Sequence, residues 1–370
     1  MKPKIRPLDV HPLETGFWIR DPLMLSDGLV VSYPALLLLS LMDGNRDLES
    51  IKADFFKATG YILSDEELKG FIQTLDRALM LDNQNYRQAL KEEIGKFLQK
   101  GVRPMSHVGE VYPEDSQACR EFLCGAHREK REILGLMVPH MDIRVAKDTY
   151  WEGYGRLKED KKLVLILGVS HYWHEMPFSA LPVDMETPFG LLKTNKNLIE
   201  KLQRFYNFDI THDILSYRTE HSIEFVSLYA KMLFPEAEAL ALIVSYGDMD
   251  FLKGLAENLL RVIDKNLKDT LVISSVDLSH VGRKFGDERS YNPSTNDKTY
   301  LSMLESLKVE ESFEFLSKSG NPTRIDGQYT NLVFSHLLRT AGLQKGELFD
   351  YKGYYEERTD SVVSYASMGF

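Results

Sequence analysis

Runs of consecutive apolar residues recur along the last two thirds of the chain and predict the strands of a parallel sheet. They cover residues 132–138, 163–169, 239–245 and 270–275. Strands that are buried on both faces are apolar at successive positions rather than at alternate ones. Helical segments separate the runs, so the pattern predicts an α/β domain with helices on both sides of a mostly parallel sheet. A late antiparallel pair is expected at 348–355 and 361–367.

Three of these runs end in polar residues that include a histidine. His140 follows the first run, His171 follows the second, and Asp277, Ser279 and His280 follow the last. Ligands in open α/β sheets bind in the crevice beyond the carboxyl ends of the strands. We therefore expect these side chains to meet in one crevice.

A fourth polar group, Glu220 and His221, opens an apolar segment that is predicted to be a helix. Helix N-termini also tend to face that crevice. A single histidine at a strand end is more often a packed, hydrogen-bonded residue, but several such ends together favour a metal or catalytic site. In this interpretation His221 transfers protons near neutral pH, Glu220 orients it, and Asp277 accepts the second ring N–H of a ligating histidine.

The first 90 residues have a different pattern. Short strand-like pieces come first, and helices are expected at 35–42, around 48–56, and from Ser64, where Glu67 completes a capping box. A strand-like end at 79–86 then suggests a hairpin. The pattern predicts a small α+β, winged-helix-like domain over 1–90, a charged helical linker over 91–102, and the α/β domain over 103–370.

Composition narrows the class of protein. The chain has 370 residues, a net charge of -10 and a pI near 5.6, which argue against binding of nucleic acid. No apolar run is long enough to span a bilayer and no signal peptide is evident, so we expect a cytoplasmic protein without a membrane partner. The two cysteines, Cys119 and Cys124, match no zinc motif and are expected to be free thiols.

Motifs of the second domain resemble, in order, those of the Memo family, also called AmmeMemoRadiSam system protein B. They are RPMSHVGEVYP, VPHMDIRVAKDTYWEGYGRL, LGVSH, ETPFG, EHSIEF, SSVDLSHVG and DSVVSYASMGF. The resemblance implies a fold similar to that of the class III extradiol dioxygenases, which hold a non-haem iron. The first domain resembles the small PqqD-like peptide-recognition modules.

The resemblance also implies roles for individual residues. His140 and His171 match the metal-binding histidines of the family, and His221 matches the histidine that parallels the acid/base of the dioxygenases. Ser279 falls where animal members have a cysteine, and a hydroxyl is a poorer ligand than a thiolate for Fe(II) or Cu(I). Asp277 or His280 could replace it as the third ligand, or the site could bind no metal.

Three functions remain open from the sequence. One is an Fe- or Cu-dependent oxidoreductase that acts on a small molecule or a modified macromolecule. Another is a non-catalytic protein that binds a peptide or a metal, and the third is a regulator whose first domain receives a partner. The family name implies association with a radical SAM enzyme and an Amme-type protein.

Overall fold

The computed structural model describes residues 1–158, 161–263 and 267–370. These residues form two compact units, Met1–Lys100 and Gly101–Phe370. Each unit has its own apolar core. In the described residues, no helix combines the length and apolar character that a membrane span requires.

The first unit consists of a three-stranded antiparallel sheet followed by four helices. Its elements are β1 (Asp9–Leu13), β2 (Gly16–Arg20), β3 (Leu29–Val31), α1 (Tyr33–Ser40), α2 (Leu48–Thr59), α3 (Asp65–Arg77) and α4 (Gln84–Lys100). The predicted capping box is present, because Ser64 and Glu67 bond each other's backbone N–H at the start of α3. Ile19 from the sheet packs with Ile51, Leu68 and Leu75 from the helices.

The hairpin that the sequence suggested at 79–86 is absent from this unit as described. Leu81 forms one isolated bridge with Ile5, and the chain then enters α4. Asn83 causes this change, because its side-chain oxygen accepts a hydrogen bond from Tyr86 N at 3.1 Å, as an N-cap does. The winged-helix part of the prediction is therefore not confirmed. Residues 91–100 of the predicted helical linker form the end of α4, and residues 101 and 102 belong to the second unit.

The second unit is an α/β domain. Its strands are β4 (Val102–Arg103), β5 (Gly135–Val138), β6 (Leu163–Gly168), β7 (Phe178–Ala180), β8 (Asp184–Met185), β9 (Lys193–Thr194), β10 (Glu238–Val244), β11 (Thr270–Ser275), β12 (His280–Gly282), β13 (Glu347–Glu356) and β14 (Ser361–Gly369). Its helices are α5 (Ser116–Leu123), α6 (Ile143–Tyr154), α7 (Lys196–Gln203), α8 (His221–Leu233), α9 (Met249–Val262), α10 (Ser294–Glu305), α11 (Val309–Ser319) and α12 (Gln328–Thr340). Short 3-10 turns lie at Ile214–Tyr217, Arg283–Phe285 and Glu357–Thr359.

The four predicted apolar runs form the centre of one sheet. Strands β5, β11, β6 and β10 lie side by side in that order and are parallel. Strand β14 is antiparallel to β5, and it also pairs with β12 and β13. The mostly parallel sheet is therefore confirmed, and so is the late antiparallel pair, which is β13 and β14.

Helices flank this sheet because its central strands are apolar on both faces. Leu165 and Val272 belong to a core that also includes residues of α9 and α12. The alternating residues Val164, Ile166 and Ile273 are equally buried and point to the opposite face. Helices α6 and α8 contact strands of the same sheet. Parallel strands held in this way place their carboxyl ends at one edge, where the histidines follow.

Candidate functional site

Three histidines converge at the carboxyl edge of the sheet. His140 follows β5, His171 follows β6, and His221 is the first residue of α8. One ring nitrogen of each lies within 4.8 Å of the others. The ring centroids of His171 and His221 are 4.2 Å apart, and that of His140 is 4.8 Å from His171. This cluster could hold a metal ion.

The turn after β5 fixes the His140 ring against the neighbouring strand. Asp277 Oδ1 accepts hydrogen bonds from the backbone N–H groups of His140 and Met141, each at 3.1 Å. Nδ1 of His140 lies 3.2 Å from the carbonyl oxygen of Ser275. A ring that donates through Nδ1 to a carbonyl leaves Nε2 as the atom that can bind a metal, which is the arrangement found in metal-bound histidines.

Glu220 fixes His171 in the same manner. Its buried carboxylate accepts hydrogen bonds from the backbone N–H of His171 at 3.0 Å and from Ser222 N at 3.0 Å, and lies 2.8 Å from His171 Nδ1. Burial opposes ionisation of this carboxyl, but the neighbouring His171 holds the pKa of Glu220 well below its usual value. Glu220 thus both caps α8 and orients His171.

Gly168 allows the end of β6 and the start of α8 to approach each other. A Cβ at this position would lie 2.7 Å from Ile223 Cδ1 and 2.7 Å from Ser222 Oγ. Ser222 Oγ donates a 3.0 Å hydrogen bond to the carbonyl of Val169. Since His171 follows β6 and Glu220 precedes α8, this contact sets the distance between them.

His221 lacks the hydrogen bond that orients the other two rings. Its Nδ1 is 3.7 Å from Glu220 Oε1, beyond hydrogen-bond distance, and its ring packs against Phe225 and His107. Burial lowers the pKa of His221 well below its usual value, and His171 and His140 lower it further. His221 is therefore neutral.

Asp326 is a further member of the site that the sequence reasoning missed. Its Oδ2 lies 2.9 Å from His140 Nε2, yet the two atoms are not aligned for a hydrogen bond and both are buried. Burial lowers the pKa of His140, but Asp277 and Asp326 outweigh it and raise the pKa to about 10. Buried polar atoms without aligned partners fit a site that binds a cation. A sharp Asp-Gly turn before a helix was the available signal.

The structure gives Ser279 a different environment from the one expected of a metal ligand. Its buried hydroxyl donates a 2.5 Å hydrogen bond to Asp297. Asp297 also accepts hydrogen bonds from Ser364 Oγ at 2.6 Å and from Tyr351 Oη at 2.7 Å. These contacts tie the loop after β11 to β13 and β14, so the hydroxyl of Ser279 has a structural partner.

The remaining expected residues lie around the cluster. Nδ1 of His280 lies 2.9 Å from the carbonyl of Leu278 and 3.1 Å from that of Arg324, and its ring packs on Phe285. Asp277 Oδ2 is 3.6 Å from His140 Nε2, and burial raises the pKa of Asp277. Both residues line the cleft above the histidines.

His107 also lies near the site, although its sequence context gave no strand-end signal. Its backbone N–H donates to Glu224 at 2.8 Å, and its ring centroid is 6.1 Å from that of His221. Glu224 is buried on α8, and Arg103 Nη1 lies 2.6 Å from it. Tyr112 Oη donates to the same carboxylate at 2.6 Å. Glu224 thus binds the segment 103–112 to the helix that carries His221.

A cleft of about 770 Å³ opens above the cluster. The histidines and Asp277 form its floor, and residues of α6, β13 and β14 form its walls. Fold and site together define an α/β protein with a strand-end histidine cluster that could bind a metal in an open cleft.

Comparison with known proteins gives the family. The model of the Memo-like protein family matches residues 103–369, so the chain belongs to the Memo family. A MEMO1 family protein of Aquifex aeolicus is 46% identical over 374 residues and matches 100% of both chains. Another, from Thermus thermophilus, is 30% identical and matches 87% of this chain and 98% of its own length.

More distant matches were also found. A MEMO1 family protein of Pyrococcus furiosus is 24% identical, and the match covers 72% of this chain but 98% of that protein. A solved structure of an uncharacterized Escherichia coli K12 protein covers 64% of this chain and 99% of its own, with 13% identity and a TM-score of 0.35. Likeness at that level supports no argument about function.

Proposed function

We propose that this protein is a metal-dependent oxidoreductase that binds iron or copper through His140 and His171. The observation that supports this most directly is the convergence of three imidazoles in which these two rings have an orienting hydrogen bond at Nδ1. Such hydrogen bonds accompany histidine ligands in metal sites.

The donor set favours a redox-active ion with open positions. Two imidazoles with one carboxylate are typical of non-haem Fe(II) sites that use O2, and imidazoles also suit copper. Asp326 is the best candidate for the anionic donor because its oxygens lie near His140 without aligned hydrogen bonds. An ion held there would supply one-electron chemistry or O2 binding.

The chain's own residues would have separate tasks. Glu220 orients His171, and Asp277 holds the backbone of His140. His221 is neutral and would take a proton from a substrate and return it.

Anaerobic metal analysis tests this proposal. The untagged protein should bind one equivalent of Fe(II) or Cu, whereas His140→Ala and His171→Ala should not, and O2 consumption should depend on the metal. His212→Ala is the matched control, because His212 is partly exposed and pairs with Glu175 elsewhere. Retention of full metal binding in both site variants would contradict the proposal.

A second proposal concerns the first unit, which we infer to be a recognition module for a peptide or protein partner. A groove of about 370 Å³ lies beside β1, and its lining includes Leu8, Val10, Leu36 and Leu39. Strand β1 is at the edge of its sheet, and extended peptides add to such edges. The radical SAM enzyme or Amme-type protein named with the family are the partners we propose.

Calorimetry between the full chain and each of these partners tests the recognition module. Leu36→Asp should weaken binding, whereas Ile62→Asp, at an exposed position outside the groove, should not. Binding that is equal in the two variants would argue against a role for the groove.

A further inference from the structure

The wall of the cleft is built by the antiparallel end of the sheet. His280 of β12 pairs with Val363 of β14, and Val363 pairs with Tyr354 of β13. Residues that pair directly across strands point to the same face. All three line the cleft, so they form one continuous row above the histidine floor.

This row is largely apolar and aromatic. Val363 lies at its centre, Tyr354 lies at one end, and Phe285 packs on His280 at the other. Met141 and Val145, before and within α6, add apolar surface to the lining. Flat rings pack favourably against aromatic side chains, so the wall suits a flat molecule better than a branched, polar one.

The charges of the cleft are already compensated. Arg144 forms an ion pair with Asp142 at 2.5 Å, and Lys284 forms one with Glu356 at 3.2 Å. Asp277 adds a third carboxylate to the lining. The arginine and the lysine of the lining are thus each paired with a carboxylate, whereas sites for phosphate usually offer unpaired arginine or lysine.

Tyr354 supplies the polar contact of this wall. The residue is 39% exposed, and its hydroxyl hydrogen-bonds to no other described residue. A phenol at the edge of an apolar wall can donate to an acceptor on a bound molecule. The next residue, Tyr355, points to the opposite face of the same strand.

We propose that the cleft binds a flat, uncharged small molecule that carries a hydrogen-bond acceptor, and that Tyr354 is a specificity-determining residue for it. The proposal names a class of substrate for the oxidoreductase function proposed above. It rests on that function only for the statement that the bound molecule is a substrate. A cleft of about 770 Å³ is the size expected for such a ligand.

Binding of three small probes to the metal-free, full-length protein tests the proposal. Acetophenone is flat and uncharged with a carbonyl acceptor, benzoate is its charged analogue, and cyclohexyl methyl ketone lacks the flat ring. Calorimetry or ligand-observed NMR should show the tightest binding for acetophenone. Tyr354→Phe should weaken it by about 2- to 10-fold, the range of one hydrogen bond, and Tyr355→Phe should leave it unchanged.

The proposal would be overturned if benzoate or cyclohexyl methyl ketone bound as tightly as acetophenone, if the two tyrosine variants had equal effects, or if acetophenone did not bind at its solubility limit. Each variant removes only one hydroxyl from a partly exposed residue, so folding is not at risk. Because the protein is metal-free, these results are independent of the metal analysis. If the protein bound acetophenone but no metal, the proposed oxidoreductase function would be refuted. The proposal that the cleft binds a flat, uncharged molecule would still stand.

Discussion

The hydrogen bonds at Nδ1 separate the three clustered histidines into two kinds. His140 and His171 have an acceptor beside Nδ1, so one ring orientation is favoured for each. His221 has only the 3.7 Å approach to Glu220. A residue that must exchange a proton during a reaction needs a ring nitrogen that is not committed to a fixed acceptor, whereas a permanent ligand benefits from being held.

We therefore expect His221→Gln to keep the bound metal and to remove turnover. The amide preserves much of the ring's volume but cannot transfer protons near neutral pH. Metal content per protein, melting temperature and O2 consumption would be measured together, with His212→Gln as the control. Loss of stoichiometric metal in His221→Gln alone would make His221 the third ligand instead.

Ser279 differs from the histidines because its hydroxyl already has a strong acceptor in Asp297. Ser279→Cys should leave the affinity for metal unchanged, since the thiol replaces a group that is bonded to Asp297. It should lower the free energy of unfolding by roughly 1–3 kcal/mol, because a thiol is a weak donor and leaves a buried carboxylate less well satisfied. Metal titration and urea denaturation measure the two effects. Tighter metal binding by Ser279→Cys would instead indicate that the side chain at position 279 can be a metal ligand, as the family resemblance implies.

Among the elements, the contact between the end of β6 and the start of α8 determines the site geometry most directly. Gly168→Ala would force Ile223 and Ser222 away and move Glu220 relative to His171. We expect the affinity for metal to fall by about 10-fold or more, as for other changes to groups that orient ligands. Gly254→Ala is the control, because nothing lies within 4 Å of a Cβ at that position of α9. Equal metal affinity in both variants would show that the close contact between the end of β6 and the start of α8 is not needed for metal binding.

The buried pair of Arg103 and Glu224 connects α8 to the segment before it. Burial opposes the charge on Glu224, but hydrogen bonds from the His107 segment and the charge of Arg103 hold its pKa well below the ordinary value of 4.5. A lowered pKa in the folded state stabilises the protein above pH 4.5, and this contribution is lost as the pH falls below that value.

Glu224→Gln should therefore destabilise the protein by roughly 3–5 kcal/mol at pH 7, because it leaves Arg103 buried without its partner. The difference from the unmodified protein should shrink as the pH falls below 4.5. Urea denaturation at a series of pH values measures both effects. If the difference in free energy of unfolding between Glu224→Gln and the unmodified protein stayed constant with pH, the charge of Glu224 would not contribute to stability.

At the scale of the whole molecule, the sequence predicted those structural features that depend on a local pattern of apolar and polar residues. The continuous apolar runs identified β5, β6, β10 and β11, and polar residues after them identified His140 and His171. Asp326 was missed because it lies in a loop, and contacts between distant segments place its Oδ2 2.9 Å from His140 Nε2. The environment of Ser279 depends on Asp297, which lies on another element. Such contacts between distant segments leave no periodic signal in the sequence.

The division into two units predicts that residues 101–370 fold and bind metal without residues 1–100. The second unit has its own core, and the clustered histidines all belong to it. The Pyrococcus furiosus relative matches over 98% of its length while covering 72% of this chain, so a family member of about this reduced size exists. We expect the shortened protein to be soluble, to bind the same amount of metal as the full chain, and to lose affinity for the protein partner. Metal analysis and calorimetry of both proteins check this, and an aggregated or metal-free product would show that the first unit is needed to complete the second.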